Sequence, residues 1–276
     1  MWLLLSCAAT ESSDRIDSAA GDEETGVDTG DDTGDETWWT PSPGVPWQIQ
    51  YTGRFDFSLD VNIWDLDLFD ISDADIASVR SNGKLLCYFS AGSYEDWRAD
   101  AADFPPEALG EPLDGWEGEW WIDVTNDAVR AIMADRIADA AARGCDGVDP
   151  DNVNGWENPT GLRITEAQQV DFNRFLADTA HANGLAIALK NDQSQLPELA
   201  DWFDLAVNEE CATWDECEAY DDFVAAGKPV LHIEYVDDWS EAESRAAEVC
   251  DDPQVSGLET LIKTLELGAE YLACDG

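Results

Sequence analysis

Residues 144–152 read Gly-Cys-Asp-Gly-Val-Asp-Pro-Asp-Asn, and this stretch combines an apolar approach with two acidic residues. Val148 has the character of a buried strand residue, and the Pro-Asp-Asn that follows is typical of a turn. Barrel enzymes place their catalytic groups where a strand gives way to a loop, which is the position of Asp149 and Asp151. A strand that ends in an ordinary acidic turn without a function would have the same residues. The rest of the chain is needed to distinguish the two interpretations.

Seven further apolar stretches resemble this one, and helical patterns separate them. Near-continuous apolar runs predict strands that are covered on both faces. Eight strands alternating with helices over about 230 residues predict one (β/α)8 barrel, a TIM barrel of the α/β class. A doubly wound open sheet is the alternative, although no Gly-x-Gly-x-x-Gly follows the first strand. The strand candidates are 47–51, 61–68, 84–92, 147–151, 185–191, 203–209, 229–235 and 257–262. The helical patterns cover 73–82, 128–143, 215–227 and 240–250, and a further helix begins at Thr165.

The first 46 residues differ in composition from the rest, and we assign them to a separate segment ahead of a barrel domain at 47–276. Leu-Leu-Ser-Cys at residues 4–7 resembles the lipobox of bacterial lipoproteins, which makes Cys7 a candidate for lipidation. Residues 1–5 have no basic residue and are too short for a full signal peptide, so either the true start lies earlier or the match is chance. Residues 8–46 contain 11 acidic residues and one basic residue, which predicts a disordered acidic linker.

The formal net charge of −47 limits the partners of the protein. Nucleic acids and anionic membrane surfaces bind Lys and Arg, which are scarce here. We therefore expect no nucleic-acid partner, and membrane contact only through a lipid at Cys7. A cationic ligand would be attracted, although solubility or a high-salt habitat explains the acidity equally well.

Only two histidines, His181 and His232, occur in the sequence. Their separation does not fit a histidine-based zinc site, and no Gly-x-Ser-x-Gly elbow supports a serine nucleophile. Carboxylates must then carry most of any acid–base chemistry, and we expect neither a metal nor a cofactor.

Seven cysteines are more than a reducing cytosol favours, which indicates a location outside the cytoplasm. Setting the lipidation candidate aside leaves six, which agrees with three disulfides whose pairing the spacing does not determine. Cys87 and Cys145 lie in apolar strand contexts, and we interpret them as buried thiols. The disulfides that we favour are Cys211 with Cys217 and Cys250 with Cys274.

Polar side chains end most of the predicted strands. If the strands form a barrel, their carboxyl ends meet at one mouth. Solvation alone does not explain five or more such ends on one face, so we interpret the set as a functional site. The residues are Asp65, Asp67, Tyr88, Ser90, Asp149, Asp151, Lys190, Glu209, Glu210 and Glu234.

The residue types at these ends suit glycoside hydrolysis. That reaction needs one carboxylate as nucleophile or base and one carboxylic acid as proton donor. A lysine among them, Lys190, would help to keep a neighbouring carboxylate ionised. Thirteen tryptophans also fit, because aromatic faces stack on sugar rings, although packing explains each one better when it is taken alone. Those in predicted mouth loops are Trp97, Trp116, Trp156 and Trp214.

Six segments of the chain resemble glycoside hydrolase family 114, in order, from about residue 47 to residue 274. They are 47–50, 65–70, 87–98, 144–152, 189–192 and 208–211. The resemblance implies a (β/α)8 barrel with endo-α-1,4-polygalactosaminidase activity, which cleaves partly deacetylated galactosamine polymers of microbial biofilm matrix. It also implies that Asp151 and Glu209 are the catalytic pair. The acidic linker and the candidate lipid anchor are departures from the family pattern.

We expect a retaining reaction with Asp151 as nucleophile and Glu209 as acid–base residue, their carboxyl groups about 5–5.5 Å apart. Asp149 is the main rival of Asp151, since both leave one strand, and we expect only one of the two to face the barrel interior. For Glu210, a salt bridge or solvent exposure is an equal alternative to a role in the site. The side chains expected to bind substrate are Asp67, Tyr88, Ser90, Trp97, Asp149, Asn152, Trp156, Lys190, Glu210 and Glu234.

Two other functions fit the same residues. One is a non-catalytic glycan-binding surface lipoprotein on a hydrolase-like barrel, and the presence of both expected catalytic acids argues against it. The other is a divalent-metal hydrolase that uses the aspartate clusters. Our preferred interpretation is an extracytoplasmic monomer, secreted or lipid-anchored, that acts on a cationic amino-sugar polysaccharide.

Salt should weaken the attack on such a polymer. A galactosamine polymer with free amines is a polycation, and salt shortens the distance over which an acidic site attracts it. We therefore expect kcat/KM to fall as ionic strength rises, in rates measured over a series of NaCl concentrations. A polymer with acetylated amines is the control, and an equal salt dependence for both polymers would contradict the prediction.

Overall fold

A curled sheet of parallel strands forms the centre of the protein, whose computed structural model describes residues 38–274. The strands among these residues are β1 (Trp47–Ile49), β2 (Ile63–Asp67), β3 (Lys84–Ser90), β4 (Ser93–Glu95), β5 (Leu109–Pro112), β6 (Glu119–Ile122), β7 (Gly147–Asp151), β8 (Ala186–Lys190), β9 (Leu205–Glu209), β10 (Val230–Val236), β11 (Glu259–Thr264) and β12 (Leu272–Ala273). Eight of them lie side by side in chain order, each parallel to the next: β1, β2, β3, β7, β8, β9, β10 and β11. They occupy the eight predicted strand positions, and the predicted TIM-barrel fold is confirmed.

Helices connect the barrel strands, and local sequence signals explain where several of them begin and end. The helices of the described residues are α1 (Asp73–Arg80), α2 (Asp127–Arg143), α3 (Glu166–Ala182), α4 (Leu196–Leu199), α5 (Cys211–Trp214), α6 (Asp221–Ala225) and α7 (Ala242–Val249). Ser72 and Thr165 form capping boxes at the starts of α1 and α3. Gly144, at φ 94°, ends α2 in a left-handed conformation. Within residues 38–274, none of the helices has the length and apolar character needed to cross a membrane.

The single helix predicted over 215–227 is wrong. The structure has a 3-10 turn at Cys217–Tyr220 followed by the short α6. Asp215, where the predicted helix would begin, instead ends α5 in a left-handed conformation with φ 60°. A disulfide between Cys211 and Cys217 then closes this segment into a tight loop.

Side chains on alternate positions of the barrel strands divide into two apolar layers. Trp64 and Leu66 of β2 belong to the layer between the sheet and the helices. Ile63 of β2 belongs to the second layer, which includes residues of β1, β3, β8, β9, β10 and β11 and fills the barrel interior. A residue two positions after Ile63 therefore also points inward, because a strand repeats every two residues.

The first and last barrel strands are joined by side chains and by the segment after β11. Trp47 Nε1 donates to the carbonyl of Glu259 at 2.7 Å. The buried Lys263 donates to Gln48 Oε1 at 3.0 Å and to the carbonyl of Gly268 at 2.7 Å. Burial lowers the pKa of Lys263 to about 7. The β12 strand pairs antiparallel with β11 at the same junction.

Three disulfides tie the described residues together. Cys211–Cys217 and Cys250–Cys274 are the two pairs favoured from the sequence. The interpretation of Cys87 and Cys145 as buried thiols is wrong, because the structure joins them in a disulfide with a Cα–Cα distance of 6.1 Å. Their 58-residue separation conceals that β3 and β7 are neighbours in the sheet, which brings the two sulfurs together.

The boundary predicted at residue 46 is too late. Trp38 stacks on His181 with ring centroids 4.0 Å apart and donates to Asp204 at 3.1 Å. The backbone N–H of Gly44 donates to Glu259. Residues 38–46 are therefore packed on the barrel, although the sequence assigned them to the linker. The lipidation candidate Cys7 and the linker up to residue 37 lie outside the described residues.

The segment between β3 and α2 forms a small antiparallel sheet that the sequence analysis did not predict. Its strand order is β4-β6-β5. It follows directly from the carboxyl end of β3, so it lies at the mouth of the barrel and brings additional side chains to it.

Gly92 should not tolerate a larger residue. A Cβ atom at this position would lie 1.7 Å from the carbonyl oxygen of Asn152, because the chain leaving β3 touches the chain leaving β7. We expect Gly92→Ala to lower the free energy of unfolding by about 3 kcal/mol, as measured by denaturant unfolding. Gly155→Ala is the control, since the nearest atom to its Cβ would be 3.5 Å away. Equal stability of the two variants would show that this contact is not tight.

Candidate active site

A cavity of about 430 Å³ opens at the carboxyl ends of the barrel strands. The predicted site residues that line it are Asp67, Tyr88, Trp97, Asp151, Asn152, Lys190 and Glu209. The lining residues to which the sequence analysis gave no role are Tyr51, Thr52, Asp70, Glu95, Arg98, Leu113, Glu119, Asn154, Asn191, Tyr235, Leu265 and Leu267. Their positions depend on the strand order and on the small sheet, which explains why the sequence did not reveal them.

Lys190 lies between the two carboxylates at the centre of this cavity. Its Nζ is 3.4 Å from Asp151 Oδ2 and 3.6 Å from Glu209 Oε2. The two oxygens can therefore be no further apart than the sum of these distances, about 7.0 Å. Burial alone would lower the pKa of Lys190, but Asp151 and Glu209 outweigh it and raise that pKa above its ordinary value. The lysine is thus a permanent positive charge between two acids.

Hydrogen-bond donors fix the orientation of both carboxylates. Tyr88 donates to Asp151 Oδ2 at 3.0 Å, and the backbone N–H of Asn152 donates to Asp151 Oδ1 at 2.7 Å. Tyr235 donates to Glu209 Oε1 at 2.6 Å. The Asn191 side chain donates to Glu209 Oε2 at 3.1 Å and accepts from the Glu209 N–H at 2.9 Å. Each acid is held by at least two donors and the lysine.

The backbone turns sharply after each strand that carries one of these three groups. Asn152 follows β7 with φ 61°, Asn191 and Asp192 follow β8 with φ 51° and 54°, and Glu210 follows β9 with φ 62°. This left-handed region costs about 1 kcal/mol for a residue with a side chain, least for Asn and Asp. The turns direct the following loops away from the strand ends, which leaves the carboxylates accessible from the cavity.

Asp149 does not lie in the cavity wall, where the sequence predicted a substrate-binding residue. It shares a face of β7 with Asp151, because the two residues are two positions apart, so the expectation that only one would point inward is wrong. It is fully buried beneath the cavity and does not line it. Burial raises the pKa of Asp149 to about 7, although Lys190 acts in the opposite direction.

A second acidic group at the mouth is paired with arginine. Asp67 Oδ2 lies 2.7 Å from Arg98 Nη2, and Glu95 Oε1 lies 2.7 Å from the same nitrogen. Burial raises the pKa of Glu95, and Arg98 counteracts part of that effect. Asp70 lies 3.7 Å from Arg98 Nη1. One guanidinium therefore holds three carboxylates along this wall of the cavity.

Glu119 brings a further carboxyl group to the cavity from β6. Ser93 donates to Glu119 Oε2 at 2.8 Å, and Ser93 in turn is 2.6 Å from Ser90. Asn152 donates to Ser90 at 2.9 Å, which links the small sheet to the end of β7. Burial raises the pKa of Glu119 to about 7, although its bond from Ser93 acts in the opposite direction.

Several predicted site residues do not line the cavity. Ser90 is buried within the hydrogen-bonded chain just described. Trp156 is half-buried and donates to Asp192 at 3.4 Å. Glu210 is half-buried beside α5, outside the cavity. None of the three lines this cavity, and their role in substrate binding stays a prediction.

Glu234 is also misplaced by the prediction. It is fully buried and accepts hydrogen bonds from His232 and from the first residues of α5, and it forms an ion pair with Arg245. Burial would raise its pKa, but the bonds from His232, Thr213 and Arg245 outweigh burial and lower that pKa to about 2. Glu234 thus anchors α5, which follows directly after Glu209 and Glu210.

Two tryptophans flank the entrance of the cavity. Trp97 and Trp116 both lie on the small sheet segment, and about half of each side chain is exposed. Trp214 is more exposed, at 66%, but does not line the cavity.

One group of side chains among the described residues has the spacing of a metal site. Ligand atoms of Cys211, Cys217 and His232 lie within 4.8 Å of one another. The sulfurs are joined in a disulfide, and the His232 nitrogens contact Thr260 and Glu234 at 3.0 Å. These residues do not fit a metal ion as arranged.

A (β/α)8 barrel with paired carboxylates at its carboxyl-terminal mouth and a sugar-sized cavity defines a glycoside hydrolase. The chain belongs to glycoside-hydrolase family GH114, whose family model matches residues 29–276.

Solved structures include two informative relatives. Ega3 from Aspergillus fumigatus, solved in complex with galactosamine, is 41% identical, with a TM-score of 0.81; the match covers 86% of this chain and 97% of that one. The glycoside hydrolase domain of PelA from Pseudomonas aeruginosa is 18% identical with a TM-score of 0.65, covering 84% and 98%. The PelA domain supports the fold alone. A search among curated proteins found no match.

Removing the hydroxyl of Tyr235 should slow the reaction. A hydrogen bond to a charged group contributes about 1.5–3 kcal/mol, so Tyr235→Phe should lower kcat roughly 10- to 100-fold. Tyr94→Phe is the control, because that ring packs on Phe104 and its hydroxyl makes no hydrogen bond within residues 38–274. The measurement is kcat of both variants on a galactosamine polymer. Equal kcat values for the two variants would mean that the Tyr235 hydroxyl does not support Glu209.

Proposed function

We propose that this protein is an endo-acting hydrolase of α-1,4-linked, galactosamine-containing polysaccharide, and that Asp151 and Glu209 carry the reaction. The observation that carries the proposal is the pair of carboxylates on either side of Lys190 at the cavity floor. The galactosamine complex of Ega3, a relative of 41% identity, supports the choice of sugar.

The mechanism that we propose is retaining. Asp151 attacks the anomeric carbon while the bond to the leaving oxygen breaks, and Glu209 transfers its proton to that oxygen. Glu209 then removes a proton from water, which attacks the glycosyl ester and releases Asp151. An upper limit of about 7.0 Å between the two oxygens is compatible with retention and lies at the short end of the inverting range.

Lys190 and the hydrogen-bond donors support these reaction steps by holding charge next to the two carboxylates. The charge on Asp151 is lost when the ester forms, while Glu209 becomes charged as its proton leaves. Lys190 contacts both carboxylates, so it stays next to a negative charge in both states. Preorganised charge of this kind stabilises a transition state without reorganisation.

The proposed substrate is cationic because the cavity walls are acidic. Asp67, Asp70, Glu95 and Glu119 line it in addition to the catalytic pair, and Arg98 is the main counter-charge on that wall. A protonated amine on the sugar would be attracted to such a cavity. Trp97 and Trp116 at the entrance supply aromatic faces for the adjoining sugar rings.

The proposed location is outside the cytoplasm. Three disulfides among the described residues are typical of an oxidising compartment. Lipidation at Cys7 and action as a monomer are further parts of the proposal, and both rest on the sequence.

Asp151→Asn should abolish the release of oligosaccharides from partly deacetylated α-1,4-galactosamine polymer. Glu209→Gln should lower the rate by about 10²–10⁴-fold, the usual contribution of a general acid. Asp146→Asn is the matched control, because Asp146 lies at the opposite end of β7 and pairs with Lys84. Product analysis by mass decides between the functions, since binding without release by the wild type would favour a glycan-binding protein.

The stereochemistry can be tested separately. Azide added to Asp151→Gly should restore turnover and give a β-glycosyl azide, because the small anion takes the position of the missing nucleophile. NMR of the first-formed product from the wild type should show the α-anomer. A β-anomer would contradict retention while leaving the catalytic pair intact.

A further inference from the structure

Asp149 and Asp65 form a pair of carboxyl groups beneath the floor of the cavity. Asp149 lies on β7 and Asp65 on β2, and both side chains are fully buried. Asp65 is two positions after Ile63, so it points into the barrel interior like Asp149. Neither residue lines the cavity, and the mechanism above uses neither of them.

The two carboxyl groups lack the donors that ionised carboxylates need. Among residues 38–274, no hydrogen-bond donor reaches either oxygen of Asp149 or Asp65 Oδ2. Asp65 Oδ1 accepts from Tyr51 at a long 3.4 Å. The carboxyl groups face each other closely enough to form a hydrogen bond. Two ionised carboxylates are acceptors only, so this contact requires a proton on one of them.

Charged and titratable groups from three neighbouring elements and from β7 itself act on the pair. Tyr51 does so from the end of β1, where its hydroxyl lies 3.4 Å from Asp65, and Lys190 does so from β8. Asp151 on the same strand and Glu209 on β9 lie above the pair and carry the negative charge of the catalytic pair. Lys190 is the cation in this group, and it already contacts both catalytic acids. A second negative charge beneath it would be uncompensated.

We propose that Asp65 and Asp149 share a single proton beneath Lys190 and position this lysine for the two catalytic carboxylates. Both carboxyl groups are fully buried and three of their oxygens have no donor among residues 38–274, so the proton lies between them. The pair then has one negative charge, which attracts Lys190 from below. The charged member of the catalytic pair, Asp151 before the ester forms and Glu209 after it, attracts Lys190 from above. Asp149 is a positioning residue in this arrangement, and its role rests on the proposed function of Asp151 and Glu209.

The protonation state agrees with the surroundings of the pair. Burial raises the pKa of Asp149 to about 7 and that of Asp65 well above its usual value. A carboxyl group whose pKa is raised by folding stabilises the fold fully below its unfolded pKa, and this contribution is lost as the pH rises through the folded value. The shared proton should therefore stabilise the fold in acid, and this contribution should decline as the pH rises above the unfolded pKa of the carboxyl groups.

Infrared spectroscopy tests the shared proton without any substrate. The difference spectrum between wild type and Asp149→Asn at pH 5 should contain the C=O stretching band of a buried protonated carboxylic acid. The band should weaken as the pH rises and the shared proton is lost. The absence of this band would overturn the proposal, whereas loss of the proposed function would leave the band unchanged.

Kinetics and unfolding of two variants test the positioning role. Asn at position 149 keeps a donor towards Asp65, so Asp149→Asn should retain turnover at pH 5. Asp149→Ala leaves Asp65 without that donor, so its kcat should fall about tenfold or more. The melting temperature of Asp149→Asn should fall less between pH 4 and pH 7 than that of the wild type. Inactivity of Asp149→Asn at every pH would contradict the proposal, since it would show that the negative charge on Asp149 is required.

Discussion

Lys190 is a buried ammonium group enclosed by carboxylates, and the arrangement of the barrel mouth depends on it. A buried charge without partners costs several kcal/mol, and so does each buried carboxylate. The buried lysine and the carboxylates around it are tolerated because their opposite charges compensate one another. β8 lies between β7 and β9 in the sheet, so a lysine at its end reaches the acid on either side. The order of the strands thus sets which charges meet.

The strand ends around this lysine combine tight packing with strained turns. Asn152, Asn191 and Glu210 are left-handed directly after the residues that meet at the cavity floor. Gly92 lets the chain after β3 touch the chain after β7. Such turns persist where the surrounding packing outweighs their cost. The rigid barrel provides that packing, and the side chains that perform chemistry are consequently held in one geometry.

The barrel and the small sheet contribute different parts of the site. Barrel strands supply Asp151, Lys190 and Glu209, while the segment with β4, β5 and β6 supplies the outer wall. Glu95, Arg98 and Glu119 come from that segment, and so do both tryptophans at the entrance. The reaction centre and the surface that recognises the polymer therefore lie on separate pieces of chain, which are joined through the hydrogen bonds between Asn152, Ser90 and Ser93.

The sequence by itself determined the eight barrel strands and the two acids at the mouth. Burial on both faces leaves long apolar runs in the chain, and acids at the ends of parallel strands meet at one rim. The expectation that only one of Asp149 and Asp151 faces the barrel interior was wrong, because residues two positions apart on a strand share a face. Tertiary structure alone decided the Cys87–Cys145 disulfide, the burial of Glu234 under α5 and the acidic wall of the small sheet. Each depends on contacts between residues far apart in the chain, which no local pattern of residues records.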